Sequence, residues 1–126
     1  MVGEAQTVLR RSGMRVQLVR VPGAFEIPVV AARLARKAQI RNGGLAGIIC
    51  LGVILRGETV HAAHIGEAVS RALMEIQLHY EIPVIHEVLL LENKKQAEAR
   101  CLGKKYNRGA EAAETALLMA TVMSSL

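Results

Sequence analysis

The densest concentration of usable chemistry in this chain is the run Arg56-Gly57-Glu58-Thr59-Val60-His61. Gly57 lets the backbone come close to an anion, and Thr59 is suited to cap a helix start. An imidazole in the first helical turn, at His61, can carry protons. The positive end of the helix dipole favours its neutral form and attracts a phosphate beside it. A half-exposed surface histidine is an equally good reading of His61 from spacing alone. Arg100, Lys104 and Arg108 are either anion contacts or a solvated cationic helix end. Glu26 and Glu58 form a carboxylate pair or cap two helix starts. Of the remaining histidines, His64 is expected to pack and His79 to cap a helix end. His86 either reaches a ligand edge or sits on a helix-facing side. The sequence contains no P-loop, dinucleotide fingerprint, nucleophile elbow or zinc signature, and no cofactor or metal is implied.

These residues need a scaffold, and the stretch just before them supplies its centre. Ile48, Ile49, Cys50, Leu51, Val53, Ile54 and Leu55 form an apolar run without alternation, as expected for a parallel strand covered on both faces. The glycine turn follows, and then Ile65, Ala68, Val69, Ala72, Leu73 and Ile76 recur at helical spacing, ending near His79. A strand, a tight turn and a helix start place polar groups at the carboxyl edge of the sheet, where open α/β sheets bind ligands.

Taken in order, residues 1–13 read as the end of a helix, with Val2, Ala5 and Leu9 on one side and Gly13 as its stop. Residues 15–21 alternate and suggest a strand, closed by Pro22-Gly23. Phe25, Ile27, Val30, Ala31, Leu34, Ala35 and Ala38 mark the inward face of the next helix, with Glu26 and Pro28 in its first turn. Residues 41–44 make a flexible connection. Pro83 introduces a strand over Val84–Leu91; a short helix over 93–100, a basic loop over 103–108 and a helix over 109–123 complete the chain. The order α-β-α-β-α-β-α-α implies a parallel sheet with helices on both faces. Three turns, at 22–26, 56–61 and beyond Leu91, would then share one edge, which the basic loop can approach. The first helix has no strand before it, so the predicted sheet has only three strands.

Composition sets the outer limits. A chain of 126 residues with 52% hydrophobic content suits one domain, 1–126, with a core of its own. Phe25, Tyr80 and Tyr106 are the only aromatic residues, so the core is aliphatic and no base-stacking platform exists. A net charge of +5 with dispersed basic residues indicates a solvated surface biased toward anionic ligands rather than nucleic acid. Cys50, in the central strand, and Cys101, in a helix-end loop, lack metal-ligand or CxxC spacing and read as reduced thiols of a cytoplasmic protein. No signal peptide and no membrane-length apolar run is present.

Three blocks in the right order, VPGAFEIP at 21–28, LGVILRGETVH at 51–61 and KKYNRGAEAA at 104–113, make the chain resemble the lumazine synthase family across nearly its whole length. The resemblance implies a three-layer α/β/α sandwich of flavodoxin-like type. It also implies condensation of 5-amino-6-(D-ribitylamino)uracil with 3,4-dihydroxy-2-butanone 4-phosphate in riboflavin biosynthesis, without cofactor or metal. His61 falls on the family's catalytic histidine. Gly57, Glu58, Thr59, Arg100 and Lys104 map to its phosphate pocket. Ala24, Phe25, Glu26, Val53, Ile54, Leu55 and His86 map to the uracil and ribityl contacts. Partners implied are the small-molecule substrates, further copies of the chain (a pentamer or a 60-subunit shell with shared active sites) and riboflavin synthase, with no nucleic acid or membrane.

The chain departs from the family pattern at Ala62-Ala63-His64, which replaces an aromatic-acidic-aromatic triplet, and at His86, which replaces an aromatic. The family's opening strand, central in its sheet, and the following loop with a stacking aromatic have no counterpart. Two unpaired strand edges and an apolar gap are the expected result. These departures support an alternative, a shell-forming or flavin-binding relative without turnover.

Overall fold

The computed structural model describes residues 1–40 and 44–126. Helix α1 (Val2–Arg11) ends in a Schellman turn. Gly13, at φ +76°, donates its N–H to Arg10 C=O, and Met14 donates to Leu9 C=O, both at 3.0 Å. A 3-10 turn (Ala24–Glu26) leads into α2 (Ile27–Ile40), where Pro28 occupies the first turn and Ile27, Ala31 and Ala35 are buried at four-residue steps. The connection anticipated over 41–44 lies, apart from Gly44, outside the described residues.

Strand β1 (Ile48–Leu55) and strand β2 (Val84–Leu91) pair in parallel, in register from Ile48↔Val84 to Leu55↔Leu91. Helix α3 (His61–Tyr80) links them, and α4 (Lys94–Cys101) and α5 (Arg108–Ser125) follow. Asn93 caps α4 by accepting the Gln96 N–H at 3.0 Å. Both strands and the last four helices fall within a residue or two of the sequence reading. None of the helices among the described residues is long and apolar enough to cross a membrane.

The two sheet faces bury different partners. Ile48, Cys50, Ile54, Val84 and Val88 pack against α2 and α3, including Val69 and Leu73, which are almost fully buried. Burying each of these two contributes about 1.5–3 kcal/mol. On the other face, Ile49, Leu51 and Ile85 meet Ala112, Ala116 and Met119 of α5. The layers approach closely at Gly52; a Cβ there would stand 3.2 Å from Val88 Cγ1 and 3.3 Å from Ile27 Cδ1. The expectation that β1 is covered on both faces holds only for its first half, since Val53 and Leu55 are exposed.

The sheet has two strands among the described residues, not three. Residues 14–21 contain no helix, turn or bend, and beyond the Met14 bond that closes α1 they form no hydrogen bond to another described residue. Alternation in sequence shows that a segment can pair; a strand exists only when an edge lies within reach. Here a cleft of about 660 Å³ separates residues 14–21 from β1, with α1 and α5 on one side and α2 on the other. The unpaired edges and the apolar gap anticipated from the sequence are therefore present.

Candidate functional site

The three turns predicted to share an edge do so. The ladder continues past the strands through the Arg56 N–H, which donates to Leu91 C=O at 2.8 Å. The Arg56 guanidinium donates to the Glu92 carboxylate, also at 2.8 Å. This ion pair is half exposed, so it aligns the two turns more than it stabilises them. Beside this edge lies a hollow of about 520 Å³, lined by Gly23, Ala24, Phe25, Glu26, Val53, Ile54, His61 and Ile65.

Each contributor has a local reason for its place. The 3-10 turn lifts Phe25 away from the helix interior and leaves it 61% exposed. That corrects the reading of Phe25 as a core position and puts an aromatic ring at the mouth of the hollow. A Cβ at residue 23 would lie 2.7 Å from Glu26 Oε2, so Gly23 makes room for that carboxylate. Val53 and Ile54 lie just before Leu55, the last residue of β1, and Ile54 anchors the floor to the core. His61 opens α3, where the first intrahelical bond donated is from His64 N–H to Val60 C=O at 3.2 Å. The N–H groups of His61, Ala62 and Ala63 precede it and provide a partly positive rim.

Thr59 does not cap α3; Val60 holds that position with no side-chain bond. Gly57, Glu58 and Thr59 are exposed on the turn and do not line the hollow, nor does Leu55. Open space surrounds the Cα of Gly57, leaving the backbone approachable from outside. Of the two carboxylates weighed as a pair, Glu26 lines the hollow and Glu58 does not.

His86, Arg100 and Lys104 stand apart from the hollow. His86 takes the helix-facing option: Nδ1 accepts the Val88 N–H at 3.4 Å, and Nε2 lies 2.9 Å from Ser70 Oγ. Ser70 Oγ in turn donates to Gly66 C=O at 2.8 Å. This chain of bonds places the histidine proton on Nε2, donated to Ser70, so the serine is not set up as a nucleophile. Arg100 is six residues along α4, roughly 9 Å from the helix start at 1.5 Å per residue. It is exposed, and the structure does not bring it to His61 within one chain. The basic loop likewise does not reach the edge. Arg108 is held back at the middle of β2 by Glu87 at 3.1 Å, and by Glu111 at 2.6 Å.

Burial lifts the Glu87 carboxyl above its ordinary range, against the opposing pull of the Arg108 guanidinium. The Arg108 pKa is raised, first by its hydrogen bond to Glu111. Three smaller readings change. His64 is exposed rather than packed. His79 sets its ring edge-on to Tyr80, at 4.6 Å, instead of capping α3. Cys101 is a buried residue of α4, not part of a loop. Burial pushes the Cys50 thiol up to about 12.

Sequence reasoning overlooked Asn107, which is 5% exposed. Its Nδ2 donates to Cys101 C=O at 2.9 Å and Gly103 C=O at 3.0 Å, while Oδ1 accepts the Gly109 N–H at 3.0 Å. An asparagine immediately before a helical run was the available signal.

A family model described as 6,7-dimethyl-8-ribityllumazine synthase matches residues 1–124. Among similar proteins, the 6,7-dimethyl-8-ribityllumazine synthase of Stenotrophomonas maltophilia (strain R551-3) is 40% identical over 111 residues, covering 88% of this chain and 68% of that protein. The protein of the same name from Xylella fastidiosa (strain M12) is 41% identical over 111 residues, covering 88% and 69%. That from Coxiella burnetii (strain Dugway 5J108-111) is 38% identical over 112 residues, covering 89% and 71%.

Proposed function

The chain belongs to the 6,7-dimethyl-8-ribityllumazine synthase family, and we propose that it performs that family's condensation. 5-amino-6-(D-ribitylamino)uracil and 3,4-dihydroxy-2-butanone 4-phosphate would combine with loss of phosphate and water. The observation that carries this reading is His61 facing the same hollow as Ala24, Phe25, Glu26, Val53 and Ile54. In that position the imidazole passes protons between the reacting nitrogen and oxygen atoms. The Phe25 ring and the strand end form apolar walls for the pyrimidine, and Glu26 offers acceptors for hydroxyl groups. The turn at Gly57, Glu58 and Thr59, with the free N–H groups opening α3, holds the phosphate.

Leu55, His86, Arg100 and Lys104 complete the site from a neighbouring copy or from the rim, since the chain alone leaves them outside the hollow. A cytoplasmic homo-oligomer, a pentamer or a shell built of pentamers, is the assembly this arrangement needs. Riboflavin synthase is its candidate protein partner.

The test is lumazine formation followed by absorbance. His61→Ala should lower kcat by roughly 10²- to 10⁴-fold with assembly unchanged. Equal turnover in that variant would remove His61 from the mechanism. A second reading, a binding or shell-forming relative without turnover, is favoured by His86 being tied to Ser70 rather than facing the hollow. It predicts no lumazine formation by the unmodified chain, together with saturable binding of riboflavin.

A further inference from the structure

Gly23 lines the hollow at His61, yet nothing in its backbone calls for glycine. It precedes the 3-10 turn at φ −152° and ψ 174°, extended values open to any residue. What a side chain would meet there is the end of Glu26. A Cβ at residue 23 would stand 2.7 Å from Glu26 Oε2 and 3.9 Å from its Cδ, and beyond its chain neighbours it would touch nothing else. The Glu26 N–H donates to Gly23 C=O at 3.3 Å, which fixes the two residues on one turn. Among the described residues no ion pair holds the Glu26 carboxylate, so its oxygens stay free to accept from a ligand. Among the described residues of the lining, only Glu26 and His61 have polar side chains.

We propose that Gly23 is a positioning residue: it lets the Glu26 carboxylate fold back over the turn, and that placement selects a pyrimidine bearing a hydroxylated chain. The inference rests on the condensation proposed above and adds what sets the choice of one of its substrates. With His61 occupied by proton transfer, hydroxyl recognition falls to Glu26. A carboxylate accepting from a hydroxyl group makes one of the stronger hydrogen bonds, provided it stands where the hydroxyl arrives. A methyl group at residue 23 turns it away. Because Glu26 is exposed, that rotation disturbs no packing, and the stiffer unfolded chain of an alanine variant offsets it. The loss therefore falls on binding rather than on the fold.

The experiment measures binding of 5-amino-6-(D-ribitylamino)uracil, without the second substrate, to the intact chain by calorimetry. The 6-pentylamino compound, of equal chain length without hydroxyl groups, is the companion probe. Gly23→Ala should leave Tm unchanged and reduce the preference for the ribityl over the pentyl compound by about tenfold. Glu26→Ala should show the same loss, and adding Gly23→Ala to it should weaken ribityl binding no further, since the glycine acts only through that carboxylate. Equal weakening of both probes, or a further loss in the double variant, would show the methyl group obstructing the hollow directly and overturn the proposal. Undiminished preference in Gly23→Ala would overturn it while leaving the condensation standing. Failure of the unmodified chain to bind the ribityl compound would remove the condensation and this inference together.

Discussion

Glu87 Oε2 accepts a hydrogen bond from Arg108 Nε at 3.1 Å, tying the middle of β2 to the first residue of α5. The Glu87 side chain is 12% exposed, and burial outweighs the guanidinium in setting its proton affinity. Its folded pKa is above the ordinary value of 4.5, so the folded state holds this proton more firmly than the unfolded chain does. The stability due to this group is fully present below the ordinary value and is lost as pH rises through the raised one. Glu87→Gln cannot ionise. Its stability relative to the unmodified chain should therefore improve as pH rises from the ordinary value of 4.5 through the raised one, read as urea midpoints.

Removing the other partner has the opposite consequence. Arg108→Ala leaves the Glu87 carboxylate without its donor and should cost about 1–3 kcal/mol at neutral pH. The low end is expected because Arg108 is 36% exposed and water replaces part of the bond. The loss should shrink in acid, where Glu87 takes up a proton. Urea unfolding at two pH values measures both effects.

Gly52→Ala inserts a methyl group where Val88 and Ile27 already stand 3.2 and 3.3 Å from the added atom. Both neighbours belong to the packed core. A destabilisation of about 1–3 kcal/mol is expected, visible as a lowered Tm.

Glu81 terminates α3 in the left-handed region, at φ 50° and ψ 40°. A side chain there costs about 1–2 kcal/mol that glycine does not incur. Glu81→Gly should therefore stabilise the fold by up to about 1 kcal/mol once glycine's extra freedom in the unfolded chain is subtracted. Calorimetry should show a raised Tm.

Arg100→Ala should raise the KM for the phosphorylated substrate while leaving folding intact, because its side chain is exposed and makes no recorded ion pair. Steady-state kinetics with each substrate varied in turn measures this. An unchanged KM for the phosphate ester would take Arg100 out of the site.

The periodicities that located β1, α3 and β2 reflect burial, and burial leaves a direct mark on residue type. Ile48–Leu55 and Val84–Leu91 were legible to the residue for that reason. Pairing leaves a weaker mark. Residues 15–21 alternate like a strand, yet their partner edge lies across a cleft, and nothing in the segment itself encodes that distance. At the site, His61 was singled out from the glycine turn before it, whereas Ala24, Phe25, Glu26, Val53 and Ile54 entered through the family resemblance; the six line one hollow. Arg100 was not, because its position depends on how far α4 carries it from that edge. Asn107 escaped notice although its residue type is typical of a helix cap; its two carbonyl partners, Cys101 and Gly103, are visible only in three dimensions.

The Schellman turn at Gly13 joins α1 to an unpaired segment, and α1 itself packs mainly on α5. The first 21 residues thus share no ladder bond with the sheet and have little to hold them when α1 lifts. They are therefore expected to open as a unit, at an energy below that of the whole molecule. Under a protease this arm would be trimmed first, leaving the two-strand body and its hollow behind.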